Sequence, residues 1–188
     1  MNKITQVRKL ENPKFIEPVE LIYTQNNQEK KWEAIISYDS VAILLWHKQK
    51  DSFVLVKQLR PAVLHMKKDG YMYELCAGIV DKELTLSQIA KEEILEECGY
   101  DIPLEKLRYI TSFFTSVGTT GAKQSLFYGE IDEAMKVSEG GGIHDEEIEV
   151  IYLKTAEAKK FMFDENFQKT PGMMRAFYWF FDNLKQNQ

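Results

Sequence analysis

Residues 78–100 read GIVDKELTLSQIAKEEILEECGY, and this stretch carries the clearest structural signal in the chain. Thr85 followed by Gln88 matches a capping box, in which two side chains satisfy backbone N–H groups at the start of a helix. Gly99 suits the end of the helix, because glycine adopts the left-handed conformation without a steric cost. We therefore predict a helix that begins after Thr85 and ends at Gly99.

Three carboxylates share one face of this predicted helix. At about 100° per residue, Glu93, Glu96 and Glu97 lie on one side and continue the apolar stripe that begins with Leu86. Like charges at this spacing repel one another, and turning them toward the protein body adds a desolvation cost. A hard divalent cation such as Mg²⁺ or Mn²⁺ would compensate, because it takes oxygen ligands. A solvated acidic face is the other interpretation that helix geometry allows.

Strands are predicted on both sides of this helix, from short runs rich in Val, Ile, Leu and aromatic residues. These runs are 19–23, 32–38, 41–48, 53–59, 71–78, 107–115, 124–131 and 149–153. A short helix over 155–163 follows, and Thr170 with Pro171 begins a final helix whose apolar residues are expected to face the core. The pattern predicts a mixed sheet flanked by helices, α+β or α/β in class.

Composition narrows the classes of partner and location. The chain has 188 residues, which suits one domain, and a formal net charge of -5, which opposes binding to nucleic acid. It lacks an apolar run of membrane-span length and a signal-peptide core, so we expect a cytoplasmic protein without a membrane partner. Cys76 and Cys98 lack the spacing of a zinc site or a redox motif and are expected to be buried.

Residues 78–100 also resemble the Nudix box, G-x5-E-x7-R-E-U-x-E-E-x-G-U, where U is a bulky aliphatic residue. The matching positions are Gly78, Glu93, Ile94, Glu96, Glu97 and Gly99. Two positions differ: Leu84 replaces the first glutamate, and Glu92 replaces the arginine that steadies the box carboxylates in the family. Further stretches, VLVKQLRPAV, YELCAGIVD, TSVGTTGAKQSLFYGEI and GGGI, resemble the nucleotide-sugar pyrophosphatases of this superfamily, especially the UDP-glucose group.

This resemblance implies the Nudix fold, an α/β/α sandwich with a mixed sheet between helices. It divides the chain into an N-terminal strand extension, residues 1–38, and a Nudix hydrolase domain, residues 39–188. The implied reaction is metal-dependent hydrolysis of UDP-glucose or a similar UDP-sugar to a nucleoside monophosphate and a sugar 1-phosphate. ADP-ribose is the nearest alternative substrate, although Ser116 stands where the ADP-ribose group usually has a proline. A Nudix module that binds a nucleotide but hydrolyses little is the second alternative, because Leu84 and Glu92 depart from the box.

The resemblance also implies the metal ligands. Glu93, Glu96 and Glu97 correspond to the carboxylate ligands, and the backbone carbonyl of Ala77 corresponds to a further ligand from the preceding strand. Glu74 is a secondary candidate near the metals. Mg²⁺ or Mn²⁺ is the expected cofactor.

Catalytic and substrate-binding roles follow in the same way. Arg60 resembles the arginine that holds the diphosphate, where a planar fork can contact two oxygens; a surface arginine is the alternative. Glu146 is the expected general base, ahead of Glu147, which directly precedes the returning strand. Glu96 completes the predicted catalytic set, and Ser116 is assigned to substrate binding.

Trp32 is the remaining substrate-binding candidate, and it connects the site to assembly. Related enzymes are dimers with exchanged N-terminal strands, so Trp32 is predicted to stack on a nucleobase in its own subunit or in the partner. A tryptophan of the core or of the interface is the alternative interpretation. We expect a homodimer, since exposed strand edges invite pairing and two-fold dimers are the commonest closed assembly.

Overall fold

A mixed sheet of seven strands forms the centre of the molecule, in a computed structural model that describes residues 2–67 and 69–184. Its strands are β3 (Ser40–His47), β4 (Ser52–Leu59), β5 (Tyr71–Glu74), β6 (Cys76–Ile79), β7 (Leu107–Phe114), β8 (Lys123–Ile131) and β9 (Ile148–Lys154). Strands β5, β4, β3, β8 and β7 follow one another across the sheet, while β6 also pairs with β3 and β9 with β4. Only the pairing of β3 with β8 is parallel among these named strands of the described chain.

Helices cover both faces of this sheet, which confirms the predicted α+β class with a mixed sheet between helices. They are α1 (Pro61–Met66), α2 (Leu86–Glu93), α3 (Ala158–Phe163) and α4 (Pro171–Asn183). The capping box of Thr85 and Gln88 is present, and α2 continues as a π-helical turn, Ile94–Cys98, that ends at Gly99 with φ 77°. The predicted start and end of this helix are confirmed, whereas its π-helical last turn and α1 were not predicted.

Residues 71–78 were predicted as one strand, and this prediction was wrong. Leu75 interrupts the run, because β5 pairs with β4 while β6 pairs with β3. The Leu75 side chain is buried where the chain passes from one partner strand to the other. This change of partner sets Glu74 opposite Val56 and Ala77 opposite Ala42.

Alternate residues of β4 pack into two separate cores. Phe53 faces α4, where its ring stacks on that of Phe177 with 4.5 Å between centroids. Val54 faces α2 and its π-helical last turn, residues 86–98, together called the box helix, in a cluster that contains Ile89 and Ile94. The period of two in the strand produces this division, since successive side chains point to opposite faces of the sheet. The core position predicted for the apolar residues of α4 is confirmed, and Cys76 and Cys98 are buried as expected.

The N-terminal segment forms a separate two-stranded sheet. Its strands β1 (Ile16–Gln25) and β2 (Gln28–Ser37) pair along their full length around a two-residue turn. Asn26 and Asn27 occupy that turn with φ 55° and 60°, which asparagine tolerates better than most residues. The hairpin leaves large apolar side chains exposed, namely Ile16, Leu21, Ile22, Tyr23, Trp32 and Ile36. Among the described residues no helix is long and apolar enough to cross a membrane.

Candidate active site

The end of the box helix brings two glutamates against strand β6. Glu97 is 5% exposed, and its Oε2 accepts a hydrogen bond of 3.0 Å from the backbone N–H of Ala77. The Glu93 carboxylate lies directly against Gly78, where a Cβ atom would collide with it. Glycine at position 78 allows this close approach, and a larger residue would displace the Glu93 carboxylate from the backbone of β6.

Burial shapes the protonation of both carboxyl groups. Desolvation raises the pKa of Glu97 to about 8, with the charges of Glu93 and Glu146 adding to the rise and hydrogen bonds from Ala77 and Cys76 opposing it. Desolvation and the charge of Glu96 raise the pKa of Glu93 to about 7, against the lowering effect of Lys82. The site thus gathers carboxylates that repel one another in a poorly solvated place, and a cation would relieve both costs.

The oxygen atoms of these side chains suit a hard divalent cation, although they do not converge on one point. The side chains concerned offer only oxygen, which Mg²⁺ and Mn²⁺ prefer. Within residues 2–67 and 69–184, no three Asp, Glu, His or Cys side chains already converge on a place for an ion. Mg²⁺ usually binds through one or two carboxylates together with water and substrate phosphates, so an open set of this kind is compatible with it.

The glycine loop binds to the last turn of the box helix. Gly141 donates its N–H to the carbonyl of Glu97 at 2.9 Å, and Gly142 donates to the carbonyl of Glu96 at 3.0 Å. These hydrogen bonds hold the loop, which contains Glu146, next to Glu93, Glu96 and Glu97, here called the carboxylate cluster. Glu146 is close enough for its charge to raise the pKa of both Glu93 and Glu97.

Arg60 faces the same cluster from the end of β4. Its Nε donates to Glu74 Oε1 at 2.7 Å, and its Nη2 donates to Glu74 Oε2 at 2.9 Å. This hydrogen-bonded pair raises the pKa of Arg60, and the charges of Glu97 and Glu146 contribute further. Glu74, a secondary metal candidate in the sequence, therefore has both oxygens engaged by an arginine.

The two departures from the Nudix box have different surroundings. Leu84 is an exposed side chain in the loop before α2. Glu92 accepts a 2.7 Å hydrogen bond from Lys82 Nζ, and the charge of Lys82 also lowers the pKa of Glu93. Lys82 therefore supplies positive charge beside the carboxylates where the box arginine is missing. Sequence reasoning missed Lys82, because no local pattern relates it to a residue ten positions later.

Trp32 lies in a second place, where the hairpin contacts the loop that joins β7 to β8 and contains Ser116. Trp32 Nε1 donates to the carbonyl of Gly118 at 3.2 Å, and the Ser116 carbonyl accepts the N–H groups of Thr119 and Thr120. Ser116 has φ 48°, so this loop turns sharply there. A cavity of about 250 Å³ lies between β1, β2 and this loop. The predicted site residues thus fall into two groups, one of carboxylates with Arg60 and one that comprises Trp32 and the loop of Ser116. Glu147 directly precedes β9.

Comparison with known proteins identifies the family. No family model matches the chain. The chain is 36% identical to "Uridine diphosphate glucose pyrophosphatase NUDT14" of Bos taurus, across 89% of this chain and 88% of the relative. It is 34% identical to the Mus musculus protein of the same name, across 90% of each chain. A "GDP-mannose pyrophosphatase" of Cronobacter sakazakii is 37% identical across 64% of this chain and 62% of the relative.

The first two relatives exceed 30% identity over nearly the whole chain. Their names and that of the third relative describe cleavage of a nucleotide-sugar diphosphate. The chain therefore belongs to the nucleotide-sugar pyrophosphatases of the Nudix superfamily, which are hydrolases of phosphorus-containing anhydrides.

Proposed function

We propose that the protein hydrolyses the diphosphate of UDP-glucose or a similar UDP-sugar to UMP and a sugar 1-phosphate. The observation that carries the chemistry is the placement of Glu97 and Glu93 against strand β6, where Glu97 accepts a hydrogen bond from Ala77 and Glu93 lies on Gly78. The charges of Arg60 and Glu146 act on one another beside Glu97. The relatives named for UDP-glucose match 89% and 90% of the chain, whereas a relative named for GDP-mannose matches 64%. The wider match supports a UDP-sugar over a GDP-sugar.

Enzymes of this family generally need a divalent metal ion, and we assign Mg²⁺ or Mn²⁺ to this site. Glu93, Glu96, Glu97 and the carbonyl of Ala77 would hold it. When bound, the ion would neutralise charge on the phosphoryl oxygens and make a bound water more acidic. The crowding of desolvated carboxylates supports this assignment, because a cation lowers the free energy of their ionised forms.

The remaining roles belong to residues around the carboxylates. Arg60 contacts the diphosphate, where its charge offsets the negative oxygens in both the bound substrate and the transition state. Glu146 accepts a proton from the attacking water, with Glu147 as the second candidate. Glu96 completes the catalytic group at the last turn of the helix.

We assign the nucleobase to the hairpin, with a role for Trp32 and the Ser116 loop in binding it. In this proposal residues 1–38 form a strand extension that dimerises, residues 39–188 form the catalytic domain, and the protein works in the cytoplasm. The exposed apolar side chains of the hairpin support a homodimer, because a partner that covered them would remove apolar surface from water. Light scattering at micromolar concentration tests this, and a monomer with full activity in W32A would contradict both the shared site and the stacking role.

The substrate is tested with a panel of UDP-glucose, GDP-mannose and ADP-ribose, each with Mg²⁺ and with Mn²⁺. Released phosphomonoester gives kcat/KM, the quantity that measures discrimination. We expect the highest value for UDP-glucose. A clear preference for GDP-mannose or ADP-ribose would overturn the substrate and leave the reaction intact. Binding of nucleotide without turnover, with either metal, would instead identify a binding module.

A further inference from the structure

In the pair formed by Arg60 and Glu74, the carboxylate binds one edge of the guanidinium and leaves the other edge available. Glu74 occupies the edge that presents Nε and Nη2, with two hydrogen bonds of 2.7 and 2.9 Å. A guanidinium is planar, and its Nη1 and Nη2 groups form a second donor edge that a carboxylate on the first edge does not cover. This second edge can contact two oxygens of a diphosphate at once.

The two side chains of the pair differ in burial, and the acidic one is the more buried. The Glu74 side chain is 12% exposed, whereas that of Arg60 is 44% exposed. The carboxylate therefore lies behind the guanidinium, within the protein, and the guanidinium lies toward solvent. An ion pair whose acidic member is this well shielded is held more firmly than a fully exposed one.

The backbone on both sides of the pair is also fixed. The N–H of Arg60 donates to the carbonyl of Gly70 at 2.8 Å, and the carbonyl of Arg60 accepts from Val63 and Leu64 in the first turn of α1. Glu74 is the last residue of β5 and is paired with Val56 on β4. These hydrogen bonds hold the backbone of Arg60, and the two hydrogen bonds from its guanidinium to Glu74 restrict its long side chain.

Resting on the proposed function, we propose that Glu74 is a positioning residue that holds Arg60 with its Nη1 and Nη2 edge toward the substrate diphosphate. The carboxylate contacts neither the substrate nor an ion in this assignment. It acts through Arg60: because it already restricts the arginine side chain, less conformational entropy is lost when the diphosphate binds. Glu74 also offsets the charge of Arg60 in the substrate-free protein.

The test compares E74Q and E74A with R60A and with the two double variants. We expect E74A and E74Q to raise KM for UDP-glucose by about tenfold and to change kcat by less than about threefold. The same loss should occur in the affinity for an analogue in which a methylene group replaces the bridging oxygen, measured by calorimetry with Mg²⁺. In the R60A background, removal of Glu74 should change neither quantity further, because the residue to be positioned is gone.

A matched control is E149Q, since Glu149 forms a 3.0 Å ion pair with Lys57 on the same strand β4 but lies outside the site. This variant should retain KM and kcat. If E74A raised KM by the same factor in the wild-type and R60A backgrounds, the proposal would be overturned in favour of a direct role for Glu74. A changed Mg²⁺ requirement with unchanged KM would overturn it in the same way.

A spectroscopic measurement separates this proposal from the choice of substrate. In a ¹⁵N-labelled protein, the Nε–H signal of Arg60, assigned by its absence in R60K, should be protected from solvent exchange and should lose that protection in E74A. An unprotected signal in the wild-type protein would overturn the positioning role even if UDP-glucose is hydrolysed. A protected signal without turnover of any nucleotide sugar would contradict the proposed function and leave the pairing intact.

Discussion

The two faces of the central sheet differ in chemistry, although the same strands supply both. On the α4 face, β4 contributes Phe53 to an aromatic core in which Phe177 and Phe180 are almost fully buried. On the box-helix face, the neighbouring Val54 and Val56 pack under a helix whose last turn carries carboxylates. One strand thus supports an aromatic core on one face and the helix that carries the carboxylates on the other, because alternate side chains point in opposite directions.

The energetic consequences of the two faces should be opposite in sign. Burial of apolar rings stabilises the fold, whereas burial of Glu97 without a cation costs free energy and raises the pKa of its carboxyl group. Substitutions on the α4 face should therefore affect stability and leave the chemistry alone. Substitutions among the carboxylates should affect the chemistry without lowering stability.

The largest expected effect is on turnover in E97Q. This substitution removes a ligand charge from the proposed metal site, so we expect kcat to fall by at least about a hundredfold. The melting temperature in EDTA should be equal to or higher than that of the wild type, since a costly buried charge is removed. Full turnover in a folded E97Q protein would refute the assignment of Glu97, and E149Q again provides the control.

The next effect concerns stability on the opposite face. Phe177 is fully buried and stacks on Phe53, so F177A leaves a cavity and should lower the free energy of unfolding by about 3–5 kcal/mol. Urea denaturation measures this loss. At low temperature, where the variant remains folded, the Mg²⁺ concentration for half-maximal activity should equal that of the wild type. A large change in that concentration would mean that the two faces are coupled.

A pH series in EDTA sharpens the contrast. Folding raises the pKa values of Glu97 and Glu93 from 4.5 to about 8 and about 7, so the folded protein binds more protons than the unfolded chain within this window. These two groups should therefore lower stability progressively as pH rises from about 5 to 8. The fall in melting temperature should be smaller in E97Q, and Mg²⁺ should reduce it in the wild type. Equal falls in both proteins would contradict the raised pKa of Glu97.

The smallest effect is expected for K82M. Lys82 is largely exposed, but its charge lowers the pKa of Glu93, so its removal should shift the acid limb of the activity profile to higher pH. Screening by solvent limits the shift to less than about half a pH unit. K48M, which removes the exposed partner of Glu130, should leave the profile unchanged. A shift toward lower pH in K82M would be the contradictory result.

Local sequence signals determined much of this structure. Thr85 with Gln88 defined the helix start, Gly99 defined its end, and alternation of apolar residues indicated the strands, because these features depend on neighbours a few positions away. The acidic spacing of Glu93 and Glu97 likewise indicated that the end of the helix would gather charge. The box resemblance then identified the family without any knowledge of the sheet order.

Only the tertiary structure decided how distant residues pair. It ended β5 at Glu74, joined that residue to Arg60, brought Lys82 to Glu92 and bound the glycine loop to the box helix. It also brought Trp32 of the hairpin to the carbonyl of Gly118, in the loop that contains Ser116. Each of these outcomes depends on which segments meet in space, and burial and hydrogen bonding select those meetings across long separations in the chain.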